Sequence, residues 1–257
     1  MASFEIYLIN LDDSPDRLAA LSEALAGLGR SDFHRIAAVD GRKRPPESFR
    51  EYDRAASLSE MGRELHGGEV ACFLSHMAAL RAFLDSGADY ALVLEDDAAP
   101  TPDALAVCDR LIAWQAGRGV PDWMIAQVAN PRLKYATQVG EIGNHSVYRS
   151  HYIAMLATAV LWTRAGAEHF LATFRGIDCP YDNYLRRVFA RVDAGIAVLP
   201  PLFSTTGADS DIGKSQAGAK RSTAARRFYT LRRLRRLIRD NWRGRTNARN
   251  WAGRRQK

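Results

Sequence analysis

The chain has 257 residues, 47% of them apolar and 25% charged, with 10 prolines and 19 glycines, which excludes a collagen-like, disordered or small disulfide-stapled architecture and leaves ample sequence for one globular core. Its net charge of +7 is unevenly placed: residues 214–257 carry 16 basic and one acidic side chains, a net of +15, against −8 over residues 1–213. A mildly acidic body does not attract a polyanion, so any affinity for nucleic acid or anionic lipid must come from the last 44 residues.

In chain order, Phe4 to Asn10 (FEIYLIN) is an apolar run suited to a buried strand. Asp13 or Ser14 then caps a helix that accepts Pro15 in its first turn and repeats Leu18, Leu21, Leu25 and Leu28 at helical spacing. Ile36 to Val39 is a second short strand closed by Asp40-Gly41, and the RKRPPESF segment after it reads as a solvated loop. From Gly68, a helix places Val70, Phe73, Leu74, Met77, Leu80 and Leu84 on one face and ends at Ser86-Gly87. It leads into a strand at Tyr90–Leu94 that is stopped by Glu95-Asp96-Asp97. Pro100 to Trp114 predicts a helix, Trp123 to Val128 a strand, and Tyr152 to Trp162 a buried strand region. Helices follow at Arg164–Phe174 and Asp182–Arg191, then a last strand at Ile196–Leu199 closed by two prolines. This alternation predicts an α/β domain with a mainly parallel central sheet over residues 1–213, followed by a basic helical tail at 214–257.

Three widely spaced cysteines, Cys72, Cys108 and Cys179, form neither a disulfide framework nor a metal knuckle and point to a reducing compartment. The longest nearly pure apolar run, Ile153 to Trp162, is ten residues and too short to cross a bilayer. The opening MASFEIYLIN has no basic segment ahead of an apolar one, so the expected location is the cytoplasm.

Three consecutive acids after a buried strand are the most informative feature, because ligands of open α/β sheets bind beyond the carboxyl ends of the strands. Hard cations such as Mg²⁺ or Mn²⁺ take oxygen ligands, commonly one or two carboxylates completed by substrate phosphates. Standing alone, the triplet reads more readily as a solvated turn capping the next helix. Its surroundings decide between the two. The segment GEVACFLSHMAALRAFLDSGADYALVLEDDA resembles the hallmark block of glycosyltransferase family 25, the lipopolysaccharide and lipooligosaccharide sugar transferases related to collagen galactosyltransferases. IYLINLDDSPDR, AAVDG, CPYDNYL and LPPLFSTTGADSDI resemble further family segments, in family order, over about residues 4–213. Two segments depart from the family pattern: Ala157-Thr158-Ala159-Val160 stands where relatives carry a Gly-containing stretch, and Ser204-Thr205-Thr206 where they carry a Gln-acid pair.

The resemblance implies a GT-A-like, Rossmann-type nucleotide-sugar fold, a UDP-sugar donor bridged by Mn²⁺ or Mg²⁺, and inverting transfer, with galactose the sugar expected, to a lipid-linked oligosaccharide acceptor. Asp97, and Glu95 through water, are the expected metal carboxylates, with Asp96 addressing the ribose or sugar. Asn10, Arg17, Asp40 and Gly41 follow two early strands, where the family places uridine and diphosphate; Arg17 offers a phosphate paired donors. Asp182 in CPYDNYL is the candidate base for the acceptor hydroxyl and equally a candidate N-cap of the helix after it, with Asp178 a secondary candidate. His76 reads as a packed histidine bonded to a neighbouring loop and, secondarily, as a site residue. Trp123, Tyr148 and Tyr152 are candidates for stacking on sugar, although core packing explains each of them as well.

In the tail, Phe228, Leu231, Leu234, Ile238 and Trp242 recur at three- and four-residue spacing among Arg226, Arg232, Arg233, Arg236, Arg239 and Arg243. Residues 222–243 are therefore expected to form an interfacial helix on an anionic membrane, peripheral to the cytoplasmic face. The competing expectations are a stripe packed on the body and an arginine face that binds nucleic acid. The latter is the basis of a second functional reading, a transferase-like binding protein with impaired chemistry. Oligomeric state leaves no trace in the sequence.

Overall fold

The computed structural model describes residues 4–117, 122–206 and 223–255, with side chains of the last segment described over 228–253. The strands are β1 (Phe4–Asn10), β2 (His34–Ala37), β3 (Tyr90–Glu95), β4 (Ala98–Pro100), β5 (Ile125–Gln127), β6 (Ala136–Ile142), β7 (His145–Ser150), β8 (Ala159–Thr163), β9 (Gly195–Leu199) and β10 (Phe203–Thr205). The helices are α1 (Pro15–Gly27), α2 (Arg54–Met61), α3 (Gly67–Ser86), α4 (Ala104–Ala116), α5 (Arg164–Thr173), α6 (Tyr181–Val192) and α7 (Thr223–Arg255).

Eight strands form one sheet in the order β2-β1-β3-β8-β5-β9-β7-β6, and β4 pairs with β10 in a small antiparallel ribbon. The β2-β1-β3 and β5-β9 pairings are parallel, while β8 and β7 run against their neighbours. Six of the eight strands thus point the same way, in keeping with the expected mainly parallel α/β sheet.

Both faces of the sheet are covered, which is why its central strands read as continuous apolar runs and not as alternating ones. Within β1, Phe4, Ile6 and Leu8 join a core layer with α1 and α4, while Tyr7 and Ile9 point into the layer of α3, α5 and α6. In β3 the same alternation sends Leu92 and Leu94 one way, Ala91 and Val93 the other. Along α3, Val70, Phe73, Met77, Leu80 and Phe83 are fully covered, and Gly87 ends the helix with a left-handed φ of 81° that a side chain would disfavour.

Several boundaries differ from the expectation for identifiable reasons. Ala98–Pro100 leaves the α4 pattern to pair with Phe203–Thr205, so α4 starts at Ala104. Residues 152–158 form a loop and only Ala159–Thr163 is strand. The β6–β7 hairpin has no strong apolar run because β6 lies at the edge of the sheet; its turn needs Gly143 at φ 60°. α2, eight residues with Asp53 as its N-cap, is too short and polar to announce itself. No described helix is long and apolar enough to cross a membrane. The three cysteines are free thiols.

Candidate active site

The carboxyl ends of β1 and β3 lie side by side because the two strands pair in parallel with Ile9 opposite Glu95. Together with the N-terminal half of α3 and the loop after β2, they enclose a cleft of about 150 Å³. Asn10, Arg17, Asp40, Gly41, His76, Glu95, Asp96 and Asp97 all line it. The structure therefore gathers eight residues separated by up to 87 positions into one site, as the topology of an open α/β sheet requires.

The three acids have different surroundings. Asp96 faces inward to protein: its carboxylate accepts from Asn10 Nδ2 at 2.8 Å and pairs with Arg17 at 3.1 Å. Asn10 is buried, donates also to the Ser14 carbonyl and accepts from Arg35 Nε, so it clamps the β1–α1 turn to the end of β3. Glu95 accepts from Nε2 of the buried His76 at 3.0 Å, and the Thr158 hydroxyl stands 3.5 Å from its other oxygen. The His76 ring in turn stacks on Tyr181 with centroids 3.9 Å apart and planes within 8°, which fixes its orientation. Asp97 differs from both neighbours. Its Oδ1 is buried and has no hydrogen-bond partner, and its carboxyl is pushed up to about 6 by burial and by the charges of Glu95 and Asp96, with Arg17 opposing. A buried carboxylate oxygen without a donor is a costly arrangement unless a cation completes it.

Glu95 also lies within a cluster with Cys72 and His76 whose candidate ligand atoms fall within 4.8 Å of one another. Burial and the nearby Glu95 and Asp182 charges raise the Cys72 thiol well above its usual value, which keeps it protonated and leaves His76 to serve as the donor to Glu95.

Asp40 and Gly41 line the cleft, but local packing accounts for much of their character. Asp40 is held by Arg42 through its backbone and guanidinium, and these bonds lower its carboxyl to about 2. Gly41 has no room for a side chain: a Cβ would meet the Gly67 carbonyl oxygen at 2.1 Å and Ala71 Cβ at 2.6 Å. This contact presses the loop after β2 onto the start of α3, where the Ser75 hydroxyl also accepts from Val39 N at 2.9 Å. Gly41→Ala is expected to cost about 1–3 kcal/mol by overpacking. Gly27, which has nothing within 4 Å of a built Cβ, should accept alanine without loss, and paired thermal melts of the two variants check the contrast.

Asp182 does not line this cleft but lies close behind it. α6 begins at Tyr181 with Pro180 as its N-cap, so Asp182 stands inside the first turn and the N-cap alternative is corrected. Among the described residues no hydrogen-bond partner reaches its carboxylate. Burial and the charge of Glu95 raise it to about 7, while His76 and Arg186 pull the other way. Asp178, the secondary base candidate, is held by both Arg187 nitrogens at 2.5 and 2.6 Å and lies away from the cleft. Among the aromatic candidates, Trp123 is a core side chain. Tyr152 is taken up by Arg186, whose guanidinium lies 4.1 Å from its ring centroid, and Tyr148 sits on β7, outside the cleft lining.

Sequence reasoning missed three features of the site. Arg42, assigned to a solvated loop, lines the cleft and ties Asp40 to Asp13. Gly68 lines it too, bringing the positive end of the 20-residue α3 to the cleft; the Gly67-Gly68 pair was the available signal. The third is the placement of the two segments that depart from the family pattern. The Thr158 carbonyl accepts from Glu95 N at 2.9 Å, and Thr206 N donates to the Asp97 carbonyl at 2.9 Å. Both departures thus brace the acidic triplet. The Ser-x-Ile segment, residues 210–212, lies outside the described residues.

A model of glycosyltransferase family 25, described as an LPS biosynthesis protein family, matches residues 4–185. No curated protein matches the chain. Among solved structures, a Drosophila β-1,4-galactosyltransferase 7 mutant in complex with manganese, UDP-Gal and xylobiose is similar at 13% identity, covering 88% of this chain and 79% of that one with a TM-score of 0.42. The family match takes in β1, the α3–β3 block with its acids and the first turn of α6 with Asp182, and on that span the chain belongs to glycosyltransferase family 25, a family of sugar-transferring enzymes.

Proposed function

We propose that the protein is a metal-dependent, inverting hexosyltransferase that moves a sugar, galactose foremost, from a UDP-sugar to a lipid-linked oligosaccharide core. The observation that carries this reading is the unpartnered buried oxygen of Asp97 beside Glu95, at the mouth of a cleft that also holds Arg17 and the positive end of α3. Oxygen donors suit Mg²⁺ or Mn²⁺, and Asp97 with Glu95 would hold the ion. When bound, such a cation neutralises the charge that develops on a departing diphosphate without any proton movement.

The chain's own residues supply the remaining work. His76, itself locked by Tyr181, and Thr158 hold the Glu95 carboxylate in one orientation toward the cleft. Asp96 is proposed as a tie that fixes Arg17, in place of the contact to ribose or sugar expected from sequence. Arg17 and the Gly68 end of α3, both lining the cleft, would receive phosphate oxygens. Asp182 accepts the proton of the acceptor hydroxyl. Its carboxyl near 7 is matched to that task at neutral pH. The LPS description of the family supports the choice of acceptor.

The test is to incubate the protein with a panel of UDP-hexoses and UDP-N-acetylhexosamines, with Mn²⁺ or with excess chelator, and to follow UDP release and product mass. Release from one UDP-hexose that stops in chelator is the expected result. Release at the same rate in chelator, or from none of the donors, overturns the reading. The second result would also favour a transferase-like binding protein over an enzyme of this specificity.

A further inference from the structure

We propose that the outward face of α7 is a docking surface for an anionic lipid bilayer. The sequence leaves open which side of this helix meets the body, and the contacts of α7 answer that. It is 33 residues long and lies against α2 and α6 with its polar side. Arg239 pairs with Glu60, Arg236 donates to the Glu60 carbonyl, Asn241 accepts from the Tyr135 hydroxyl and Asn247 donates to the Ala190 carbonyl. Gly244 is buried against Tyr135 and Tyr152, which a side chain there would meet.

The opposite side carries the apolar stripe. Leu231 is 65% exposed, Leu234 53%, Ile238 60% and Trp242 66%, with Phe228 and Leu237 flanking them. A stripe of this kind normally turns inward, so a helix that holds Arg236 and Arg239 against the body and its leucines toward solvent presents, among the described residues, an apolar face that the body does not cover. Arg233 and Arg235 are exposed beside the stripe, and Arg249 continues its outward line beyond Trp242. Arg226 lies where side chains are not described.

The chemistry of that partner follows from the combination. Arg233, Arg235 and Arg249 are the arginines exposed on that side, so two copies meeting stripe to stripe would bring like charges together. Nucleic acid would satisfy arginines and leave the Leu, Ile and Trp side chains in water. A bilayer rich in anionic headgroups offers an apolar layer and a negative rim at once, and Trp is suited to that boundary. Through Asn247 and Ala190 the docking helix is fastened to the far end of α6, the helix whose first turn carries Asp182. A membrane-borne acceptor would then meet an enzyme already held at the surface. The inference stands on α7 alone and does not depend on the identity of the donor.

The full-length protein, sedimented with phosphatidylcholine vesicles that do or do not contain phosphatidylglycerol, tests it. The comparison variant is Leu234→Glu/Ile238→Glu, two outward positions more than half exposed. Wild type should bind the phosphatidylglycerol vesicles, more weakly as salt rises, and the variant should lose about tenfold or more of that affinity while keeping its helical circular dichroism. Equal binding by the variant overturns the proposal, as does wild-type binding that is indifferent to phosphatidylglycerol. A wild-type dimer that the variant abolishes, with no vesicle binding, would reassign the stripe to a contact between copies. Binding of duplex DNA by both proteins, again with no vesicle binding, would reassign the arginines to nucleic acid.

Discussion

Asp97→Ala should abolish UDP release from the donor while leaving the protein folded and more stable than wild type at pH 8. The stability half of this result follows from the carboxyl being raised to about 6 by burial, Glu95 and Asp96. In the unfolded chain an aspartate releases its proton near its ordinary value of about 4. Between those two values the folded state retains a proton that the unfolded state has lost, so stability falls as pH rises from about 4 to about 6 and stays reduced above. Removing the carboxylate relieves that penalty, by about 1–2 kcal/mol once the group's partial exposure is allowed for. In a chain of this size that corresponds to a rise in Tm of a few degrees. The functional half follows from the unpartnered Oδ1. Wild type at pH 8 should gain Tm on addition of Mn²⁺ and lose the gain in chelator, whereas Asp97→Ala should show neither change. A variant that still releases UDP, or that keeps the Mn²⁺ shift, would remove Asp97 from the site.

Much of the catalytic region was legible because its signals are local. A run such as FEIYLIN is a strand buried on both faces, and acids at the end of such a strand fall at the sheet's ligand-binding edge whatever the rest of the fold does. The α3 helix could be read from its periodicity and its closing glycine for the same reason. What stayed hidden depends on partners distant in sequence. Nothing in EDD tells Asp96 from Asp97. The difference is that Asn10 and Arg17, more than 75 residues away, reach one and not the other. Arg42 has the composition of a loop cation and becomes a cleft residue because Asp13 and Asp40 converge on it.

The tail makes the same point at larger scale. Its periodicity identifies an amphipathic helix but not which side is inward. The inward side is held by bonds to Glu60, the Tyr135 hydroxyl and the Ala190 carbonyl, all on the body. The usual rule that apolar stripes pack inward therefore gives the opposite orientation here. Likewise Asp182 is a strong N-cap residue by type, yet Pro180, with its fixed φ, starts the helix two positions earlier and leaves the carboxylate without a capping bond.

That freed carboxylate sets the second large effect. Asp182→Asn should lower the transfer rate about a hundredfold or more with UDP-donor KM nearly unchanged, because the amide keeps the shape and loses the proton acceptor. The pH profile separates this role from a structural one. Deprotonated Asp182 is the working form, so kcat/KM should show an acidic limb at the group's pKa, which is about 7 before the proposed cation binds. Glu95 contributes to that raised value, so saturating divalent cation, by offsetting the Glu95 charge, should move the limb downward. Because Asp97 and Asp182 both feel the charge of Glu95, the limb should be read as an apparent value. In Asp182→Asn the residual rate should lose that acidic limb while the Mn²⁺-induced rise in Tm persists, since the residues proposed to hold the ion are untouched. A variant with near-normal kcat, or one that retains the wild-type acidic limb, would transfer the role of base to another residue.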